Sequence, residues 1–212
     1  MSPPSESGVT RLEVRATVLL AVATVATAWS GYQATRWNGE QAKAGARASA
    51  MRIESSKADA VANTQTQIDV ATFTQWVNAY ALEQKQLSDF YFRRFRAEFK
   101  PAVHAWVATK PLRNRSAPLT PFAMPQYHLA ARDAGRRLDL SAGSWATRAQ
   151  ADIQRSSNYI LGVVLFTTAL FFASISTKLQ TPRLRRLLLG FGLVILIGTA
   201  AWLATFPVSI SV

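Results

Sequence analysis

Two unbroken apolar runs lie near the end of the chain: residues 158–177 (NYILGVVLFTTALFFASIST) and residues 187–206 (LLLGFGLVILIGTAAWLATF). A basic stretch, residues 178–186, separates them. Each run has about the 20 residues that an α-helix needs to cross a hydrocarbon core. Neither contains a charged side chain, whereas a helix packed in a soluble core keeps a polar face. The pattern predicts a transmembrane hairpin. An earlier apolar run follows Arg11 and Arg15 and predicts a first span over residues 16–34, with Trp29, Tyr32 and Trp37 as interfacial anchors at its far end. Ala26-Thr27-Ala28 also has the form of a signal-peptide cleavage site, but the helical pattern runs on past Ala28 without a break.

A polar region, residues 35–157, separates the first span from the second. No proline occurs between Pro4 and Pro101, or between Pro125 and Pro182. Because proline breaks helix interiors, the expected order is helix, proline-rich connection (residues 100–125), helix. The outgoing part has two textures. Residues 37–62 are rich in Ala, Gln, Ser and Lys, good helix formers with little bulk to bury. Residues 68–99 carry Phe73, Trp76, Val77, Tyr80, Leu87, Phe90, Tyr91 and Phe95, mostly at three- and four-residue steps, as on one face of an amphipathic helix. That stripe reads as a surface packing on another helix.

Between the two textures lies Asn63-Thr64-Gln65-Thr66, a set of weak helix formers. An unbroken helix over residues 36–99 would reach roughly 96 Å, against about 46 Å for a return helix over residues 126–156. A turn at 63–66 equalises the two lengths and is the preferred reading. The return helix carries Leu129, Leu138, Leu140, Trp145 and Ile153, is weakened at Gly135 and Gly143, and shows no stop signal before the second span. The expected fold class is therefore all-α: an integral membrane protein with three transmembrane helices and a long helical polar region between the first and second. Polar tails, residues 1–15 and 207–212, complete it, with residues 1–10 expected to be disordered.

Composition qualifies this picture. Mean hydropathy is only +0.06, so the polar region balances the spans. Net charge is +12 over 212 residues. On a soluble protein that excess would suggest nucleic acid; beside three spans it points to anionic lipid or an acidic partner instead. The stretch between the apolar hairpin runs holds Lys178, Arg183, Arg185 and Arg186. Short basic loops stay cytoplasmic, and three spans put Arg11 and Arg15 on that same side. The polar region is then expected outside, at a bacterial cytoplasmic (inner) membrane. Arg36, Lys43, Arg47, Arg52, Arg148 and Arg155 flank the spans on the other side, so the preference rests on how closely the cytoplasmic four are grouped.

Candidate chemistry is sparse. With no cysteine, disulfides and thiolate sites are excluded. His104 and His128 are the two histidines, 24 residues apart and without a metal-ligand pattern. No nucleophile elbow, phosphate loop or dinucleotide fingerprint occurs. Neither an enzyme nor a cofactor is expected. Arg93, Arg94, Arg96 and Lys100 interleave with aromatics in FYFRRFRAEFK and form a candidate anion-binding patch, or the cationic end of a helix. Thr24, Thr27, Thr167 and Thr168 are candidate pore-lining hydroxyls, or helix-packing ones bonded to backbone. Ala169 and Ala173 form a small-xxx-small pair.

WSGYQATRWNGEQAKAG, YILGVVLFTTALFFASISTKL and the closing WLATFPVS resemble a loosely defined group of uncharacterised bacterial three-span membrane proteins. The resemblance implies a first span that runs into a long Ala/Gln-rich helical region, with a closing hairpin. It implies no activity. A polar helix with a bulky stripe and few internal partners is a poor monomer, so a homo-oligomer or a complex with a second protein is expected. The functional expectation is a membrane-anchored, non-catalytic oligomeric scaffold. The alternative is a homo-oligomeric channel with a hydroxyl-lined pore and a basic mouth.

Overall fold

The computed structural model describes residues 6–209, with side chains from residue 13 onward. Among the described residues every regular element is helical: α1 (Glu6–Ala81), α2 (Lys85–Arg94), α3 (Lys100–Ala108), α4 (Ala130–Lys178) and α5 (Pro182–Leu203), with a single 3-10 turn at Pro121–Ala123. Three of these, α1, α4 and α5, are long and apolar enough to cross a membrane. The expected tail disorder falls partly on residues 1–5, outside the described residues; from Glu6 the backbone is already helical.

The preferred turn at 63–66 does not occur, and α1 passes through it. The Thr64 and Thr66 hydroxyls donate to the carbonyls of Ala60 and Ala62, at 3.0 and 2.9 Å, back-bonding that a continuous helix accommodates at small cost. The break comes later. Gln84 N–H bonds to the Ala79 carbonyl at 2.9 Å and Glu83 N–H to that of Tyr80 at 3.2 Å, with Glu83 left-handed at φ 56°. This is a Schellman C-cap. The stripe expected over 68–99 is thus divided between α1 and the segments that follow. The return helix begins at Ala130, not Gln126, where Glu98 Oε1 accepts the Ala130 N–H at 3.2 Å. It then continues unbroken to Lys178.

The chain divides into two compact units, Met1–Ala46 with Trp145–Val212, and Arg47–Ser144. In the first unit the buried positions recur every seven residues. On α1 they are Ala16, Ala23, Ser30, Trp37 and Ala44; on α4, Asp152, Tyr159, Phe166 and Ala173; on α5, Leu189, Leu196 and Leu203. This period is that of left-handed helix packing. Small residues let the backbones approach: a Cβ added to Gly192 would lie 3.3 Å from the Ala169 carbonyl oxygen. Facing outward are Val14, Val18, Val22 and Val25 of α1, 51–70% exposed, and Leu187, Val194 and Ile197 of α5. Apolar residues thus face outward, while small residues such as Ala16, Ala23, Ala169 and Ala173 sit among larger ones inside.

At one end of this unit Gln33, fully buried, pairs with the backbone of Ser209, whose N–H donates to Gln33 Oε1 at 3.0 Å. Nearby, Ser156 Oγ donates to the Ala34 carbonyl at 2.9 Å and the Tyr159 hydroxyl to that of Pro207 at 3.3 Å. Trp37 is not an outer anchor: it is buried, and the Arg155 guanidinium lies 4.6 Å from its ring.

The second unit has an aromatic core. Phe73 and Trp76 of α1 pack against Phe95, Phe99 and Trp106, all buried. Phe99 stacks on Phe122 at 5.1 Å, and the Trp106 indole N–H donates to the Pro118 carbonyl at 2.6 Å, so the proline-rich connection closes over the core. Below it, Gly135 is a close approach. A Cβ there would lie 2.7 Å from Asp59 Oδ1, and Ser55 Oγ donates to the Gly135 carbonyl at 2.9 Å. Phe73, Trp76 and Phe95 of the bulky stripe are therefore covered within the chain, while Leu87 and Phe90 stay exposed. The premise that the stripe lacks internal partners is corrected.

Candidate functional site

The aromatic core is open on one side. A cleft of about 760 Å³ is floored by Trp76 and Tyr80 of α1, Phe92 of α2, and His104 and Val107 of α3. Trp76 and Tyr80 stack at 4.8 Å; Phe92 meets the His104 ring edge-on at 4.8 Å. The rim carries Lys85, Lys110 and Arg113 against Glu83 and Asp89. Three helix ends create the opening: the end of α1, the start of α2 and the end of α3.

Two rim residues have unusual backbone conformations. Among the described residues, Glu83 (φ 56°) and Lys110 (φ 53°) are the non-glycine positions with positive φ. Each ends a helix. Lys110 N–H bonds to the Val107 carbonyl at 2.9 Å, as Glu83 N–H does to that of Tyr80. A side chain in this region costs about 1–2 kcal/mol, which glycine avoids. Such cost persists at ligand clamps, where the side chain is needed.

A polar latch holds the cleft's scaffold. Asp69 of α1 is fully buried, and its Oδ2 accepts from Arg96 Nη1 at 2.8 Å and from the Tyr127 hydroxyl at 3.2 Å. Arg96 also bonds Glu98, whose other oxygen caps α4. One guanidinium thus ties α1 to the segment between α2 and α3 and, through Glu98, to the start of α4. Burial pushes the Asp69 carboxyl above its ordinary value, and the Arg96 charge opposes this. Burial likewise raises the Tyr127 phenol.

Of the expected anion patch, Arg96 is engaged elsewhere, while Arg93 and Arg94 stay exposed. Arg96 turns inward to Asp69 and Glu98 because the buried carboxylate needs a counter-charge. Arg93 and Arg94 end α2, where cations complement the helix dipole; Arg94 lies 3.6 Å from the Phe90 ring, and Lys100 Nζ donates to the Arg93 carbonyl at 3.2 Å. In the spans, Thr24, Thr27, Thr167 and Thr168 each donate to the carbonyl four residues back, at 2.7–2.9 Å.

The basic loop is shorter than its expected 178–186. Lys178 ends α4, and Arg183, Arg185 and Arg186 already lie in the first turns of α5, because Pro182 is preorganised for a helix start. Cations there oppose the helix dipole, so helix formation does not explain them. The side chain of Arg11 lies outside the described residues.

His104 lines the cleft; His128, exposed, sits 3.7 Å from Asp133. Among the described residues no group of three His, Asp or Glu side chains could hold a metal ion.

No protein family, curated protein or solved structure matches the chain. The geometry alone carries the functional argument. Sequence reasoning missed Gln33, Asp69, Glu83 and Lys110. Asp69 left a signal: it lies seven residues before Trp76 and four before Phe73, so it falls on the buried stripe itself. Glu83 and Lys110 left none, since nothing in a lone Glu or Lys marks a left-handed backbone.

Proposed function

We propose that this protein is a membrane-anchored, non-catalytic assembly protein that binds a segment of a second protein in the cleft of its aromatic-cored unit. The carrying observation is that cleft: an aromatic floor with charges of both signs on its rim, two of them held in costly left-handed positions. Trp, Tyr and Arg dominate binding hot spots, and Trp76, Tyr80 and Arg113 all line the opening. Support for a non-catalytic role is chemical. The cleft combines His104 with Asp89 and Glu83, but its Ser88 hydroxyl donates to the Lys85 carbonyl at 3.0 Å rather than to one of these groups.

The reading extends to placement. The three spans sit in a bacterial cytoplasmic membrane, with Lys178, Arg183, Arg185 and Arg186 on the cytoplasmic side against anionic headgroups and the aromatic unit outside. A reporter fused after α5 that proves cytoplasmic would overturn this orientation. The pore alternative draws no support from the four threonines, whose hydroxyls already donate within their own helices.

The test is mild-detergent extraction, followed by particle mass and composition, for wild type and for a Lys110→Glu/Arg113→Glu/Leu112→Asp variant. These three side chains are exposed, so the fold should hold. A second protein present with wild type and lost with the variant is expected. A wild-type particle that contains only this chain, at any stoichiometry, refutes the partner reading and returns attention to self-assembly.

A further inference from the structure

Between α1 and α5 runs a groove of about 590 Å³, lined by Val14, Val18 and Val22 on one side and Leu189, Gly190 and Leu193 on the other. From Val14 to Val22 it follows α1 for about 12 Å. Its walls are apolar, and Arg15 and Arg186 line it as well, both exposed. Both arginines belong to the end that carries the start of α5. A groove with aliphatic walls and guanidinium groups at one end is complementary to an acyl chain joined to a phosphate.

A second observation at the same level points to a missing anion. Arg185, next to Arg186, is only 8% exposed, yet among the described residues its Nε and Nη2 have no hydrogen-bond acceptor. Among the described residues, the carboxylate oxygen that faces it is Glu13 Oε1, 3.9 Å from Nη2 and on an exposed side chain. A buried guanidinium has five donors to satisfy. Together Arg15, Arg185 and Arg186 outnumber Glu13, and the arginines on α5 lie in the first turns of a helix whose dipole disfavours them.

We propose that the groove between α1 and α5 is a discrete site for one anionic phospholipid, with the phosphate held by Arg15 and Arg186 and an acyl chain lying along the valines. Arg185 sits behind the headgroup and adds charge. Basic recesses between spans at the headgroup level bind acidic lipids by this chemistry. The site depends on the three-span reading and not on the cleft, so the loss of either proposal leaves the other standing.

Gly190 provides a clean probe. A Cβ there meets nothing within 4 Å, so Gly190→Leu fills the groove without a clash. Wild type, Gly190→Leu and Arg15→Gln/Arg186→Gln are reconstituted in nanodiscs of equimolar phosphatidylcholine and phosphatidylglycerol, released, and weighed by native mass spectrometry. Wild type is expected to retain one phosphatidylglycerol in preference to phosphatidylcholine. Removing two headgroup cations should lower that preference about thirtyfold. Gly190→Leu should lose the retained lipid with every arginine intact. Equal retention by all three proteins overturns the site. So does a wild-type dimer without bound lipid that Gly190→Leu converts to monomer, because the groove then holds a second copy of the chain.

Discussion

Arg96→Met probes the latch that holds the aromatic unit together. Arg96 is the one cation on the buried Asp69 carboxylate, at 2.8 Å, and it also bonds Glu98. Asp69 Oδ1 already lacks a partner, so without Arg96 only the Tyr127 hydroxyl remains as a donor. Breaking a buried ion pair from one side costs about 3–5 kcal/mol. The Arg96 side chain is 22% exposed, which places the expected loss near the lower end, about 3 kcal/mol. The loss is local to the unit, so amide exchange in the full chain in detergent is the assay. The amides of α3 should exchange roughly 150-fold faster. Asp69→Asn added to Arg96→Met removes the stranded charge and should recover at least half of the loss. If the double variant exchanges as fast as Arg96→Met, the stranded carboxylate is not the cause.

The same group fixes a pH dependence. Burial holds the folded-state carboxyl above its ordinary 3.8. Between 3.8 and the raised value, the folded chain keeps a proton that the unfolded chain has released. The Asp69 contribution therefore falls as pH rises through that window and is most favourable below it. Wild type minus Asp69→Asn should show that slope; a difference that is flat with pH would remove the argument from burial.

Two further outcomes follow from backbone and tail geometry. Glu83→Gly and Lys110→Gly should each raise the exchange-derived stability of the aromatic unit by about 1 kcal/mol, because glycine takes the left-handed cap without strain; unchanged or lower stability would show that the caps are not strained. Gln33→Leu removes the side-chain pairing with the Ser209 backbone and leaves a buried N–H and C=O without partners, at a cost of about 1–3 kcal/mol. The segment after α5 should then become protease-sensitive in detergent while the spans stay intact, and a protected tail would argue that Pro207 and Tyr159 alone hold it.

The three helices long and apolar enough to cross a membrane were legible because their signal is mean hydropathy over about 20 residues, which a single chain displays directly. The long alanine-rich stretch was harder. Read as low in bulk, residues 37–62 looked like a helix with nothing to bury. Yet beyond Trp37, which opens the stretch, the buried residues there are Ala44, Ala48, Ser55 and Ala62. They do not fill space; they remove it, so that Gly135 can approach the Ser55 carbonyl to 3.3 Å from an added Cβ. A scale that scores bulk misses a seam that works by closeness, whereas the spacing of these positions, seven residues in two of the three steps, records it.

The bulky stripe failed in the opposite sense. Its periodicity correctly marked Phe73, Trp76 and Phe95 as one buried surface, but periodicity cannot say which chain supplies the partner. Phe99, Trp106 and Phe122 supply it from the same chain, through a connection whose prolines had marked it only as irregular. The proposed binding of a second protein therefore rests not on the stripe but on the cleft beside it, where Trp76 and Phe92 of the core line an opening. On the proposed function, that opening is the place where a segment of a second protein binds. For that reason the cleft, more than the net charge or the hydroxyls of the spans, is where a partner of this protein is to be sought.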